Sequence, residues 1–131
     1  MTEYDKALSL ATAYHAGQKR KNGEDYINHC VRVAKRFDII ERAKTVAVLH
    51  DILEDTDIEY RVLVELFGDT TATLVDTLSR NKDQTYLEYI LYVKTSSIAT
   101  SVKLADLDDN LNGATGTLRD KYLMAKWILE N

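Results

Sequence analysis

Several histidines and carboxylates of this chain fall where helical periodicity turns them inward. His29 lies three residues after Tyr26 and four before Val33, on the apolar stripe Tyr26, Ile27, Cys30, Val31, Val33, Ala34 and Phe37. His50 follows Val46 by four residues and Ala47 by three, and Asp51 comes directly after it. Glu54 and Asp55 lie four residues beyond His50 and Asp51, and Asp106 lies four beyond Val102 in KLADLDDN. One inward histidine is usually a satisfied core residue. An inward carboxylate is rarer, because an unpaired buried charge costs on the order of several kcal/mol even after the protein relaxes. A divalent cation answers all four demands together: it pairs with Asp51 and Asp106 and takes a lone pair from His29 and His50.

Nitrogen and oxygen donors in equal number, without a thiolate, suit Mn²⁺, Fe²⁺ or Zn²⁺. On an octahedral ion, four protein ligands leave positions for water and for a substrate oxygen, the arrangement that makes hydroxide available near neutral pH. Glu54 and Asp55 stand one helical turn from His50 and Asp51, in reach of such a water, where they could orient it or accept its proton. The stretch Gly17 to Asp25, GQKRKNGED, separates two helical stripes. It reads either as a solvated connection or as an anion-binding loop with Lys19, Arg20 and Lys21 aimed at phosphate. Together these features point to phosphoester or phosphoanhydride hydrolysis.

The elements that must hold these residues are helical. The chain has 131 residues, one domain's worth, with no proline and only five glycines to punctuate it. Tyr4, Ala7, Leu8, Ala11, Tyr14 and His15 make a first stripe, and Ala43, Val46, Ala47, Leu49 and Leu53 a third. Thr56 with Glu59 and Thr85 with Glu88 read as capping boxes, Thr117 with Asp120 as a weaker one, and Gly68-Asp69 as a stop followed by a new start. The expectation is an all-α bundle of about seven or eight short helices, residues 1–131 forming one domain. Tyr86, Tyr89 and Tyr92 read as core, Trp127 with Leu123 and Met124 as the closure of the bundle, His15 as a core or supporting residue, and Cys30 as a small buried hydrophobe. Composition narrows the function. Hydrophobic residues make up 45% and charged residues 29%, which argues against disorder. A single cysteine excludes an internal disulfide and a multi-thiolate zinc site. The net charge of −4 disfavours a nucleic-acid or membrane-surface role. No apolar run approaches the roughly 20 residues of a membrane span, and no basic, apolar, small-residue signal opens the chain, so a cytoplasmic location is expected.

His29, the pair His50-Asp51 and the distant Asp106 resemble the H…HD…D signature of the HD-domain metal-dependent phosphohydrolases. HAGQKRKNGEDYINHCVRVA, AVLHDILEDT and VKLADLDDN are similar, in order, to the three hallmark segments of RelA/SpoT-type alarmone hydrolase domains, a group that includes stand-alone small alarmone hydrolases. The likeness runs from about His15 to Asn110. It implies an all-α fold, Mn²⁺, and removal of the 3′-pyrophosphate of (p)ppGpp to give GDP or GTP. By the same resemblance, His29, His50, Asp51 and Asp106 match metal ligands. Glu54 and Asp55 match a water-orienting and proton-handling pair, Arg20 and Lys21 a basic pair that contacts base and phosphate, and Asn110 an asparagine that touches the nucleotide. The chain departs from that pattern at Asp25, where proline is usual, and after Asp106, where Leu107-Asp108-Asp109-Asn110 replaces Arg-Leu-His-Asn. Asn112 and Gly113 stand in place of an Arg and a Thr near the nucleotide. Asp108 and Asp109 read either as solvated charges or as groups that lower anion affinity beside the pocket. Two other functions remain open on these residues: an HD-type phosphatase acting on another nucleotide such as NADPH or a nucleoside phosphate, and a degenerate, non-enzymatic HD module.

Overall fold

Val46, Ala47, Val48 and Leu49 are completely shielded from solvent. A helix apolar on every side must be covered on every side, and the helix carrying these residues is the centre of the molecule. The computed structural model describes residues 1–131, all-helical as expected. The order is α1 (Glu3–Tyr14), α2 (Tyr26–Lys35), α3 (Glu41–Leu49), α4 (Ile52–Asp55), α5 (Tyr60–Phe67), α6 (Asp69–Thr77), α7 (Tyr86–Val93), α8 (Ser97–Leu111) and α9 (Gly116–Glu130). Helices α1, α2, α6 and α8 surround α3, while α7 and α9 cover α8 from the far side. No helix is long and apolar enough to cross a membrane.

Nine helices replace the expected seven or eight because the third apolar stripe is two helices. At His50 the backbone tightens to an i→i−3 bond, His50 N–H to Ala47 O at 3.3 Å, and Asp51 sits at φ −101°, ψ 0°. The chain bends there and resumes as α4. One α-turn survives across the break, with Asp55 N–H donating to Asp51 O at 2.9 Å. The bend places consecutive residues, His50 and Asp51, so that both face one point.

The capping expectations divide. Thr85 and Glu88 form a reciprocal capping box at the start of α7, and an unforeseen one, Thr2 with Asp5, starts α1. The Thr56–Glu59 box does not form: Thr56 instead donates its hydroxyl to Ile52 O at 2.6 Å, and Glu59 itself precedes α5 without a side-chain cap. Thr117 lies inside α9, whose first residue is Gly116. Gly68, at φ +88°, both ends α5 and caps α6, so Asp69 is the first helical residue and not the cap. The expected closure at the C-terminal helix also fails. Trp127 and Met124 are each 66% exposed; only Ala125 and Leu129 of α9 are buried. Tyr89 is core, its hydroxyl donating to Leu78 O, but Tyr92 is half exposed and Tyr86 lines a cavity. Cys30 is a free, buried thiol as expected.

Candidate metal centre and nucleotide pocket

Three elements meet at the centre of the bundle: α2 brings His29, the α3–α4 bend brings His50 and Asp51, and α8 brings Asp106. One ligand atom from each lies within 4.8 Å of all the others. His29 Nε2 and His50 Nε2 approach Asp106 Oδ1 at 2.9 and 3.2 Å, and His50 Nε2 approaches Asp51 Oδ2 at 2.9 Å. His29, His50 and Asp106 are all but inaccessible to solvent, with Asp51 partly open.

The outer nitrogens of the two rings test whether this cluster suits a cation. His50 Nδ1 donates to the Ala47 carbonyl at 2.6 Å, an acceptor that fixes the proton on Nδ1. His29 Nδ1 faces Asp109 Oδ2 at 2.6 Å, again an acceptor. Both rings therefore turn Nε2 toward the two aspartates, the nitrogen that offers its lone pair once a cation takes the place of its proton, and the orientation that carbonyl and carboxylate partners impose on metal-binding histidines. The aspartates are held as well: Tyr26 Oη donates to Asp51 Oδ2 at 2.6 Å, and Lys103 Nζ to Asp106 Oδ2 at 2.8 Å. The field favours positive charge. Burial opposes ionisation of His50, yet the Asp51 and Asp106 carboxylates outweigh it and raise its pKa well above the ordinary histidine value. Asp106 is held well below the carboxylate range, with burial overcome by Lys103 and His50. Geometry, donor type and field all fit one divalent ion.

Glu54 and Asp55 line a cavity of about 310 Å³ whose floor is Asp51 and Asp106. Glu54 Oε1 accepts the Arg80 amide at 2.7 Å, which tethers it to the loop before α7. Partial burial, with the charges of Asp51 and Glu54 beside it, pushes the Asp55 carboxyl up to about 6. Three cations that the sequence patterns left unmarked also face this cavity: Arg80, Lys103 and Lys121. Lys103 alone had a readable signal, its i, i+3 relation to Asp106.

A second cavity of about 810 Å³ adjoins the first and shares Tyr26, Asn110 and Tyr122 with it. The 17–25 loop forms its wall, pinned by the Lys19–Asp25 ion pair and an isolated bridge between the same residues. Arg20 does not project freely toward an anion. It donates to Asp109 at 2.9 Å and Asn110 at 3.0 Å, and it also contacts Glu24 at 3.3 Å. Lys21 is exposed on the cavity wall. Asn110 joins the two cavities, accepting from Arg20 and donating to Asp106 Oδ1 at 3.2 Å. Asp108 and Asp109 separate: Asp108 pairs outward with Arg36 and Lys126, whereas Asp109 lies between His29, Arg20 and Arg32. His15, 2% exposed, stacks against Tyr26 at 5.2 Å and thereby supports the hydroxyl on Asp51.

The chain is similar to several known proteins. The guanosine-3′,5′-bis(diphosphate) 3′-pyrophosphohydrolase of Aquifex aeolicus is 34% identical over 120 residues, which cover 83% of this chain. Its counterpart from Borreliella burgdorferi is 35% identical over 96 residues. The chain spans only 17% and 13% of the length of those two curated relatives. The Drosophila melanogaster protein guanosine-3′,5′-bis(diphosphate) 3′-pyrophosphohydrolase MESH1 matches end to end, 29% identical over 98% of this chain and 84% of its own. A solved structure of a metazoan ortholog of SpoT, described as hydrolyzing ppGpp and playing a role in starvation responses, superposes with a TM-score of 0.82. It is 28% identical and covers 98% of this chain and 84% of that one. The family model for the HD domain matches residues 7–107, a span that holds every histidine and aspartate of the central cluster, and the chain belongs to the HD domain family.

Proposed function

We propose that the protein is a metal-dependent phosphohydrolase that removes the 3′-pyrophosphate of (p)ppGpp, with Mn²⁺ as the cation. The observation that carries the reading is the pair of locked imidazoles: His29 and His50 each spend Nδ1 on an acceptor and turn Nε2 to the same two aspartates. A purely structural core has no need of that arrangement. His29, His50, Asp51 and Asp106 would hold the ion, which when bound lowers the pKa of water and offsets phosphoryl charge. The relatives' named activity supports the substrate.

The chain's own residues then divide the work. Asp55, with a carboxyl near 6, is matched to accept a proton from the attacking water close to neutral pH. Glu54, tethered to the Arg80 amide, orients that water. Lys103, Arg80 and Lys121 surround the phosphate side of the cavity and offset charge as it builds. Lys21, Arg20 and Asn110 hold the nucleotide in the adjoining cavity. Water adds to the phosphorus, the bond to the ribose 3′-oxygen breaks, and that oxygen regains a proton, releasing pyrophosphate and GDP or GTP. The cytoplasm, where such nucleotides are found, is the proposed location.

One observation favours a second reading. Where the resemblance calls for arginine and histidine, Leu107 is completely buried and Asp109 occupies Arg20. A pocket altered there suits an HD-type phosphatase acting on a different nucleotide. A panel of (p)ppGpp, NADPH and nucleoside phosphates with Mn²⁺, assayed for both products, decides. Pyrophosphate from (p)ppGpp without orthophosphate is the expected result; orthophosphate alone establishes the second reading, and silence throughout with Mn²⁺ bound establishes a non-enzymatic module.

A further inference from the structure

Asp109 stands one turn beyond Asp106 on α8, so both carboxylates project from one helix face toward His29. The ring is gripped at both nitrogens: Nε2 by Asp106 Oδ1 at 2.9 Å and Nδ1 by Asp109 Oδ2 at 2.6 Å. The two imidazoles of the cluster differ in this respect. His50 is oriented by a main-chain carbonyl, whereas the orientation of His29 depends on a side chain. The same Asp109 Oδ2 also accepts from Arg20 at 2.9 Å, and Arg32 straddles both oxygens at 2.8 and 3.0 Å. The carboxylate is nearly enclosed, its side chain 11% exposed. Glu24 completes the frame by bonding Arg32 and Arg20 from the other side.

We propose that Asp109 is a positioning residue that ties the metal centre to the nucleotide pocket, fixing the His29 ring with Nε2 inward and holding the Arg20 guanidinium at the pocket wall. The inference rests on the reading of His29 as a metal ligand. Losing a carboxylate that orients a metal-bound histidine typically weakens metal binding by about 10- to 100-fold. Removing Arg20 leaves the His29–Asp109 bond in place, because Arg32 still braces the carboxylate. Asp109 thus has two effects where Arg20 has one.

The test is calorimetric titration of Mn²⁺ into the metal-free full chain, with nucleotide KM and kcat measured in parallel. Asp109→Ala is expected to weaken Mn²⁺ binding by about 10- to 100-fold and to raise KM. Arg20→Ala is expected to raise KM while Mn²⁺ affinity stays within about twofold. Asp109→Asn keeps the shape and an acceptor for Nδ1–H but loses the charge; it is expected to fall between parent and Asp109→Ala, and it carries the test should Asp109→Ala not fold. Asp108→Asn, whose carboxylate faces outward, is expected to match the parent. In the zinc-loaded protein, NMR is expected to show a strongly deshielded, slowly exchanging His29 Nδ1–H proton that loses its deshielding and its exchange protection in Asp109→Ala, a signature that an aspartate not bonded to the ring would not give. Unchanged Mn²⁺ affinity and an unchanged Nδ1 signal in Asp109→Ala would overturn the inference and leave the metal site standing. Failure of the parent itself to bind Mn²⁺ would overturn both.

Discussion

The floor and the wall of the site are built on opposite plans. The floor, His29, His50, Asp106 and the partly open Asp51, is largely buried, and each of these side chains is braced by a neighbour: Asp109, Ala47, Lys103 and Tyr26 in turn. Its carboxylates, Asp51 and Asp106, favour the positively charged form of the groups beside them. The wall, built on residues 17–25, is an open polar loop whose cations Lys19 and Arg20 are already paired with Asp25, Glu24 and Asp109. A floor of this kind tolerates little change; a wall of this kind can be retuned without losing the ion. On the proposed function, chemistry belongs to the braced half and substrate choice to the open half.

Removing a floor residue gives the largest effect. In Asp106→Ala, His29, His50 and Lys103 lose their common partner. The variant is expected to lose stoichiometric metal binding and all measurable turnover, checked by metal analysis and product assay on the same sample. Retained turnover would break the division between floor and wall at its root.

Next come the carboxylates above the floor. Glu54→Gln and Asp55→Asn are expected to keep the fold and the metal while kcat falls by about 100- to 10,000-fold, the range for a positioned proton-handling group. Steady-state kinetics reads this as a fall in kcat that far exceeds any change in KM.

The acidity of Asp55 sharpens the same point. Partial burial, then Asp51 and Glu54, raise its carboxyl to about 6, above its ordinary unfolded value of about 4. The folded chain then holds the extra proton between those values. Its stabilisation is present below about pH 4 and is lost as pH rises through about 6. Urea unfolding of the metal-free protein is expected to show stability declining over that window, with a flatter profile in Asp55→Asn. Turnover moves oppositely, since a proton acceptor must be ionised: activity is expected to fall as pH drops through the site's acid limb.

The smallest effect is remote from both halves. Thr85→Ala removes the cap that starts α7 and is expected to cost about 1 kcal/mol, read as a lower urea midpoint with unchanged metal affinity.

The floor was more legible in the sequence than the wall. His29, His50 and Asp106 announced themselves because helical spacing put them on apolar faces, and burial of polar groups is a demand that periodicity alone exposes. The bend at His50-Asp51 was not legible: the pattern Ala43 to Leu53 reads as one helix, and the break comes with short-range bonds from the His50 amide and ring to Ala47 O that spacing does not announce. On the wall, GQKRKNGED looked like free positive charge, yet Arg20 is bound to residues 89 and 90 positions away. Local composition carries no trace of such pairing. Trp127 and Met124 misled for a related reason: i, i+3 spacing marks a face, but only packing decides whether that face is covered, and on α9 it is largely open.

The most direct measurement is a titration of Mn²⁺ into chelator-treated protein, with bound metal and nucleotide turnover followed together. One ion per chain is expected, since the donor set makes a single site, and turnover is expected to rise in proportion and to plateau at that equivalent. Full turnover by metal-free protein, or a plateau unaffected by His50→Ala, would contradict the account.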